Sequence, residues 1–227
     1  MNGFQVESLF RDGQWREVSM FMARGNAKVH SWFSDSAANR DEGAWSVPVV
    51  RYVLDCAALA TVHEDLPTGT AGDADRVHRL LHATHGASVR WPDSSPEWVS
   101  DRMNRSTANY SWNDLVLSDA AAVGVWDAGW SIVRRGLAGA DRRRVATILD
   151  WGFDPGHPGA LEEALRAACG RAKRAGMDQL LACCGPPVPG HAVLERLAAD
   201  ADYCQCYAPG EPADSLDRGP YLDPHYF

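Results

Sequence analysis

Residues 144–161 read RVATILDWGFDPGHPGAL: an apolar run, a turn of two prolines and two glycines around a histidine, and the opening of a helix. In the run, Val145, Thr147, Leu149, Trp151 and Phe153 alternate with Ala146, Ile148, Asp150 and Gly152, the two-residue period of a strand. Both sets are largely apolar, which puts the strand in the middle of a sheet. The helix runs to about Ala175 on an inward stripe of Leu161, Ala164, Leu165, Ala168 and Ala172. Arg171, Lys173 and Arg174 suit its negative end, and Gly176 stops it. Leu180–Cys184 is a short buried strand, which such a crossover makes parallel to the first. A helix entered directly from a strand presents unpaired N–H groups and partial positive charge. Here Gly156, Gly159, Ala160 and Leu161 supply amides for an anion. Turns of this type are common, and most bind nothing.

Outward from this unit, Thr70 caps a helix with Asp73 three residues on, and Val77, Leu80, Leu81 and Thr84 form its apolar stripe. Gly86 follows where a left-handed residue is wanted. Ser94 or Ser95 caps a second helix with Pro96 in its first turn and Trp98, Val99 and Met103 facing inward. Trp112–Leu117, Ala122–Trp126 and Trp130–Arg134 read as strands joined by short turns, hence as antiparallel neighbours. A further helix carries Val193, Leu194, Leu197 and Ala198, and strands at Tyr203–Tyr207 and Tyr221–Tyr226 follow. Before Glu64–Gly72, a polar joint, residues 1–63 read as β-rich, with an exposed loop at 34–43; Val47–Leu59 suits either a strand or a short helix. The expected organisation is a β-rich segment, 1–63, and an α/β (α+β) domain, 64–227. Its sheet is mixed and mostly antiparallel, with helices on both faces.

The 227 residues are 45% apolar and carry net charge −8, a field that disfavours nucleic acid and anionic membrane and favours neutral or cationic partners. Arg142–Arg144, the basic run, solvates a strand edge. No apolar run approaches the roughly 20 residues that span a bilayer, and the start lacks a signal-peptide core, so a cytoplasmic location is expected. The six cysteines show neither a disulfide framework nor a zinc spacing. His78, His82 and His85 share a helix face, but no nearby thiol or carboxylate completes a metal site, and a solvated face is the expectation; no metal is expected.

The order of elements, α-α-β-β-β-α-β-α-β-β after an extra strand, resembles the GNAT acyltransferase family over roughly 66–227. Asp73–Val77, Ala121–Trp126, Phe153-Asp154-Pro155, Ala175–Leu180 and Tyr221–Pro224 carry the likeness. It implies an acyl-CoA laid across a V-shaped opening between the two parallel strands, touching Trp151, Phe153, Gly156, Gly159, Ala160 and Leu161, and attacked directly by a small amine. By the same resemblance Asp150 is the candidate base and Tyr203 the candidate acid. The expected activity is N-acyl transfer from acetyl-CoA or another acyl-CoA to a small amine, a cationic one included, with a homodimer compatible. One departure stands out. The family's R/Q-x-x-G-x-G/A loop is shortened to Pro155–Leu161, without its Arg or Gln, and Glu162 and Glu163 stand near the phosphate position. The alternative is therefore a catalytically inactive scaffold or ligand-sensing domain. Gly3–Leu9 and Val18–Arg24 also look like the last strands of a first GNAT copy; an independent β extension is the competing reading.

Overall fold

The computed structural model describes residues 20–23, 44–60, 66–88, 95–105, 110–127, 129, 131–136 and 139–209. Strands are β1 Met20–Ala23, β2 Ala44–Asp55, β3 Leu115–Leu117, β4 Ala121–Trp126, β5 Ser131–Gly136, β6 Gly139–Phe153, β7 Gln179–Cys184 and β8 Asp200–Pro209. Helices are α1 Cys56–Leu59, α2 Ala74–His85, α3 Pro96–Arg105, α4 Pro158–Arg174 and α5 His191–Leu197, with single 3-10 turns at Ala71–Asp73 and Trp112–Asp114. The expected loop at 34–43 and the expected strand at 221–226 lie outside the described residues.

The strands form one mixed sheet in the order β1-β8-β2-β7-β6-β4-β3, with β5 also on β6. β6 and β7 are the parallel pair, as the crossover through α4 requires. Helices cover both faces. One core joins α1, α4 and α5 to Val50, Tyr52, Ile148, Trp151, Phe153 and Leu180. The other joins α2 and α3 to Leu115, Leu117, Ala122 and Leu149. Val47–Leu59, open between strand and helix in the sequence, is both: the strand runs to Asp55, whose carboxylate caps α1 through the amides of Ala57 and Ala58. β1 and β2, from the N-terminal segment, are strands of this same sheet, and β2 lies between β7 and β8. The strand expected before the first helix is reduced to a bridge between Thr68 and Val116.

Local signals explain the helix ends. Thr70 and Asp73 form the expected capping box. Gly176 ends α4 at φ +83, its N–H bonding Lys173 and that of Met177 bonding Ala172, the paired bonds of a Schellman stop. Gly86 departs from expectation: at φ −58 it is right-handed. A side chain is excluded there by space, because a Cβ would stand 2.6 Å from the His82 carbonyl oxygen.

Two strand readings are corrected. β4 and β5 are not antiparallel neighbours; both lie along the same edge of the fifteen-residue β6, in line with each other. Asp127 accepts from the Gly129 amide, and Gly129 at φ +71 makes an in-line break where a hairpin was expected. Nor does strict alternation hold along β6. Val123 pairs with Trp151 but Val125 with Ile148, so Leu149 and Asp150 together oppose Gly124 in a bulge. The extra residue turns Ile148 to the core of Trp151 and Phe153, while Leu149 and Asp150 both face α2 and α3.

Gly152 lets α2 lie directly on β6, since a Cβ would meet the Leu80 carbonyl oxygen at 2.5 Å. Gly152→Ala is expected to cost about 1–3 kcal/mol by overpacking. Gly159→Ala, where a Cβ meets nothing within 4 Å, should be neutral or stabilising by up to about 1 kcal/mol. Urea unfolding of both variants checks the pair.

Candidate functional site

β6 and β7 share three rungs, Val145–Gln179, Ala146–Leu180 and Thr147–Leu181. Beyond them β6 continues to Phe153 and β7 to Cys184 without pairing with each other, so the sheet opens at the carboxyl ends of its parallel strands. The freed backbone groups of β6 have other partners. Asp154 N–H donates to Ala120 across β4, and the alternation of an antiparallel ladder turns Trp151 and Phe153 to the edge β7 has left. There His85 Nε2 donates to the Trp151 carbonyl at 2.8 Å. Thr84 Oγ1 accepts from Phe153 N–H at 2.8 Å and lies 3.2 Å from its carbonyl oxygen. Two side chains of α2 thus replace a strand.

His85 is 5% exposed, with its ring edge-on to Trp151 at 4.7 Å. It therefore leaves the expected solvated histidine face, on which His78 and His82 still stack.

The expected cofactor residues fall in two places. Trp151, Phe153 and Leu161 meet at the opening, all under 5% exposed, against Gly190. Gly190 is left-handed at φ +93, and a Cβ there would stand 2.8 Å from both Leu161 and Trp151. Gly156, Gly159 and Ala160 lie at the start of α4, with Gly156 and Gly159 exposed. Two of those amides are already engaged: Gly156 N–H bonds the Asp154 carboxylate at 2.9 Å, and Ala160 N–H bonds the His157 carbonyl at 3.0 Å. The other Asp154 oxygen lies 3.1 Å from His157 Nδ1. Bonding from Gly156 first, then from His157, holds the Asp154 carboxyl below its usual range. The chain's own carboxylate thus stands where an anion was expected. Glu162 is turned aside to Arg166 and Arg196, at 2.9 and 2.7 Å, and these bonds, Arg196 first, hold its carboxyl low. Glu163 is exposed.

Asp150 is fully buried, with both carboxylate oxygens 3.0 Å from Nε of Arg102 on α3. Arg102 also lies over the Trp98 ring, 5.4 Å from its centroid. The Tyr110 hydroxyl sits on Gly124, opposite the bulge, and burial first, then the Asp150 charge, raises its pKa well above the usual phenol value. The bulge is therefore pinned by a buried ion pair and a phenol, and Asp150 has a partner in place of an opening. Tyr203 is on β8 opposite Val50, which is itself opposite Cys184. β2 thus separates it from β7 by two strand spacings, about 10 Å; its side chain lies outside the described residues. Sequence reading missed Tyr52 and His191. Tyr52, on β2, is 1% exposed, and its hydroxyl lies 2.7 Å from Nδ1 of His191 at the start of α5. No local signal links them, because they meet only through the placement of β2.

Two helices, an antiparallel set, the split parallel pair across a helix and a following helix and strand make this a GNAT-like acyltransferase fold. No family model and no curated protein matches the sequence. Among solved structures, the chain is similar to a functionally unknown conserved protein from Staphylococcus epidermidis, at TM-score 0.52 and 13% identity over 92% of this chain and 78% of that one. It is also similar to Saccharomyces cerevisiae N-myristoyltransferase, at TM-score 0.49 and 12% identity over 76% of this chain and 52% of that one, about half its length. A GCN5-related N-acetyltransferase from Sphaerobacter thermophilus is similar at TM-score 0.46 and 13% identity over 98% and 71%. Identity this low bears on fold alone.

Burial lowers His85 to about 4 from the ordinary 6.5. Between those values the unfolded chain binds a proton that the folded chain refuses. Stability should be full above about pH 6.5 and fall by on the order of 3 kcal/mol as pH drops toward 4. Denaturant unfolding from pH 7 to 4.5 checks this, and His85→Gln should flatten the slope.

Proposed function

We propose that this chain is an acyl-CoA-dependent N-acyltransferase acting on a small amine. The parting of β6 from β7 beside the start of α4 carries the reading. Ligands of open α/β sheets bind where neighbouring strands diverge at their carboxyl ends, with anionic groups at an adjacent helix start. On this reading the thioester enters between Trp151 on β6 and Ala182 on β7. Trp151, Phe153 and Leu161 supply its apolar wall, and the diphosphate displaces Asp154 from the Gly156 amide just before α4. Acyl transfer needs no resident cofactor: the amine attacks the thioester carbon, the C–S bond breaks, and CoA leaves as the thiol once its sulfur is protonated. The buried Asp150–Arg102 pair acts here by holding the bulge, and the net charge of −8 suits a cationic acceptor.

A second reading keeps the fold without catalysis, as a scaffold or ligand-sensing domain. It is favoured by one observation: Asp154 already bonds the Gly156 amide and holds a like charge where phosphate would approach.

Thermal unfolding with acetyl-CoA separates the two. At 100 times Kd a ligand adds about 2.7 kcal/mol, which for a chain of this size raises Tm by about 5–10 °C. Asp154→Ala should enlarge the shift by freeing the amide and removing the charge. No shift at millimolar acetyl-CoA, in wild type or variant, selects the scaffold.

A further inference from the structure

Tyr52 carries a hydroxyl into a core of apolar side chains. Its place in the sheet is particular. It is in register with Ala182 of β7, the first residue beyond the last rung that β7 shares with β6. Its backbone is therefore one strand spacing, about 5 Å, from β7, the strand on the near side of the opening. His191 reaches the same point from the other side. It follows Gly190, which packs on Trp151, Phe153 and Leu161 of the opening. Its ring is tilted 60° to Tyr52 with centroids 5.7 Å apart. Nδ1 lies 2.7 Å and Nε2 3.5 Å from the phenol oxygen, and the residue is half-exposed. The pair thus joins a buried phenol to a half-exposed histidine that stands next to Gly190 in the chain. The ordinary alternative is a packing contact that only seats α5 on β2.

We infer that His191, oriented by Tyr52, is the group that protonates the departing sulfur; the inference rests on the acyltransferase reading above. When the amine nitrogen bonds to the thioester carbon, the C–S bond breaks and its electron pair stays on sulfur. The imidazolium gives that sulfur its proton, so CoA leaves as the thiol. The proton lost by the amine nitrogen restores the imidazolium, and one turnover consumes acyl thioester and amine and yields amide and thiol. The Tyr52 hydroxyl bonds to Nδ1 and fixes the ring; Tyr52 is a positioning residue, His191 the catalytic one. A histidine suits the task because one ring nitrogen can carry the proton to sulfur while the other bonds the Tyr52 hydroxyl. This places the acid nearer the slot than Tyr203, which β2 holds two strands from β7.

The test compares CoA with desulfo-CoA, which differ only at the sulfur, by calorimetry on the full chain. An imidazole facing the sulfur makes a hydrogen bond to the CoA thiol that desulfo-CoA lacks, so wild type should bind CoA about fivefold more tightly than desulfo-CoA. His191→Gln should abolish that ratio while leaving the desulfo-CoA affinity in place, which also reports that the variant is folded. Tyr52→Phe should reduce the ratio without changing desulfo-CoA binding. Equal binding of both ligands by wild type, or a ratio that survives in His191→Gln, overturns the inference and leaves the acyl-CoA reading standing. Failure of wild type to bind either ligand overturns both.

Discussion

A strand that loses its neighbour must find other partners for its backbone, because an unpaired buried N–H or C=O costs as much as a lost hydrogen bond. This requirement governs the middle of the molecule. β7 leaves β6 after three rungs, and Thr84 and His85 of α2 take over the exposed edge at Phe153 and Trp151. α2 can reach that edge because Gly152 has no side chain to hold it off. On the other edge of β6, the bulge at Leu149–Asp150 bends the strand, as extra residues do. The pair of Asp150 with Arg102 fixes α3 there. Removing one partner of such a buried pair typically costs about 3–5 kcal/mol, which makes the bulge a durable feature. Both helices that follow the N-terminal joint therefore bond to β6 along the stretch where it has left β7.

What fills the open place is mixed in character. One side is apolar and tight, with Gly190 pressed on Trp151, Phe153 and Leu161. At the helix start, the chain answers the positive field of α4 with its own Asp154. A shortened loop explains this: Asp154 stands two residues from Gly156 and three from His157, so its carboxylate bonds both. Any anionic ligand competes with a tethered carboxylate, and selection among ligands then rests on binding energy gained elsewhere in the slot. The same features that suit a cofactor therefore also suit a domain that has ceased to bind one.

Much of this was legible because it is local. The Thr70–Asp73 box, Pro96 at the start of α3, the stripe of α4 and the stop at Gly176 each depend on residues within one or two turns. The two-residue and 3.6-residue periods likewise revealed β6, α4 and β7 in order, and that order carried the family resemblance. The rest is set by distant contacts. The bulge shifts the facing of Ile148 by one residue, and nothing near it in sequence announces the extra rung, which depends on Gly124 and Tyr110. His85 continues the periodic histidine row yet turns inward, because the Trp151 carbonyl needs a donor. Above all, β2 enters between β7 and β8 from more than a hundred residues away, which separates Tyr203 from β7 and brings Tyr52 into register with Ala182. Pairing partners are a property of the whole sheet, so strand order lay beyond local pattern.

The account turns on the opening between β6 and β7 being a place where a ligand meets backbone. Amide hydrogen exchange along β6, with and without millimolar acetyl-CoA, tests this directly. Exchange at the Trp151 amide should slow markedly when acetyl-CoA is added, while Phe153, already bonded to Thr84, and Val145–Thr147, already paired with β7, should not change. If Trp151 exchanges at the same rate in both conditions, the opening is packed core and the site is lost.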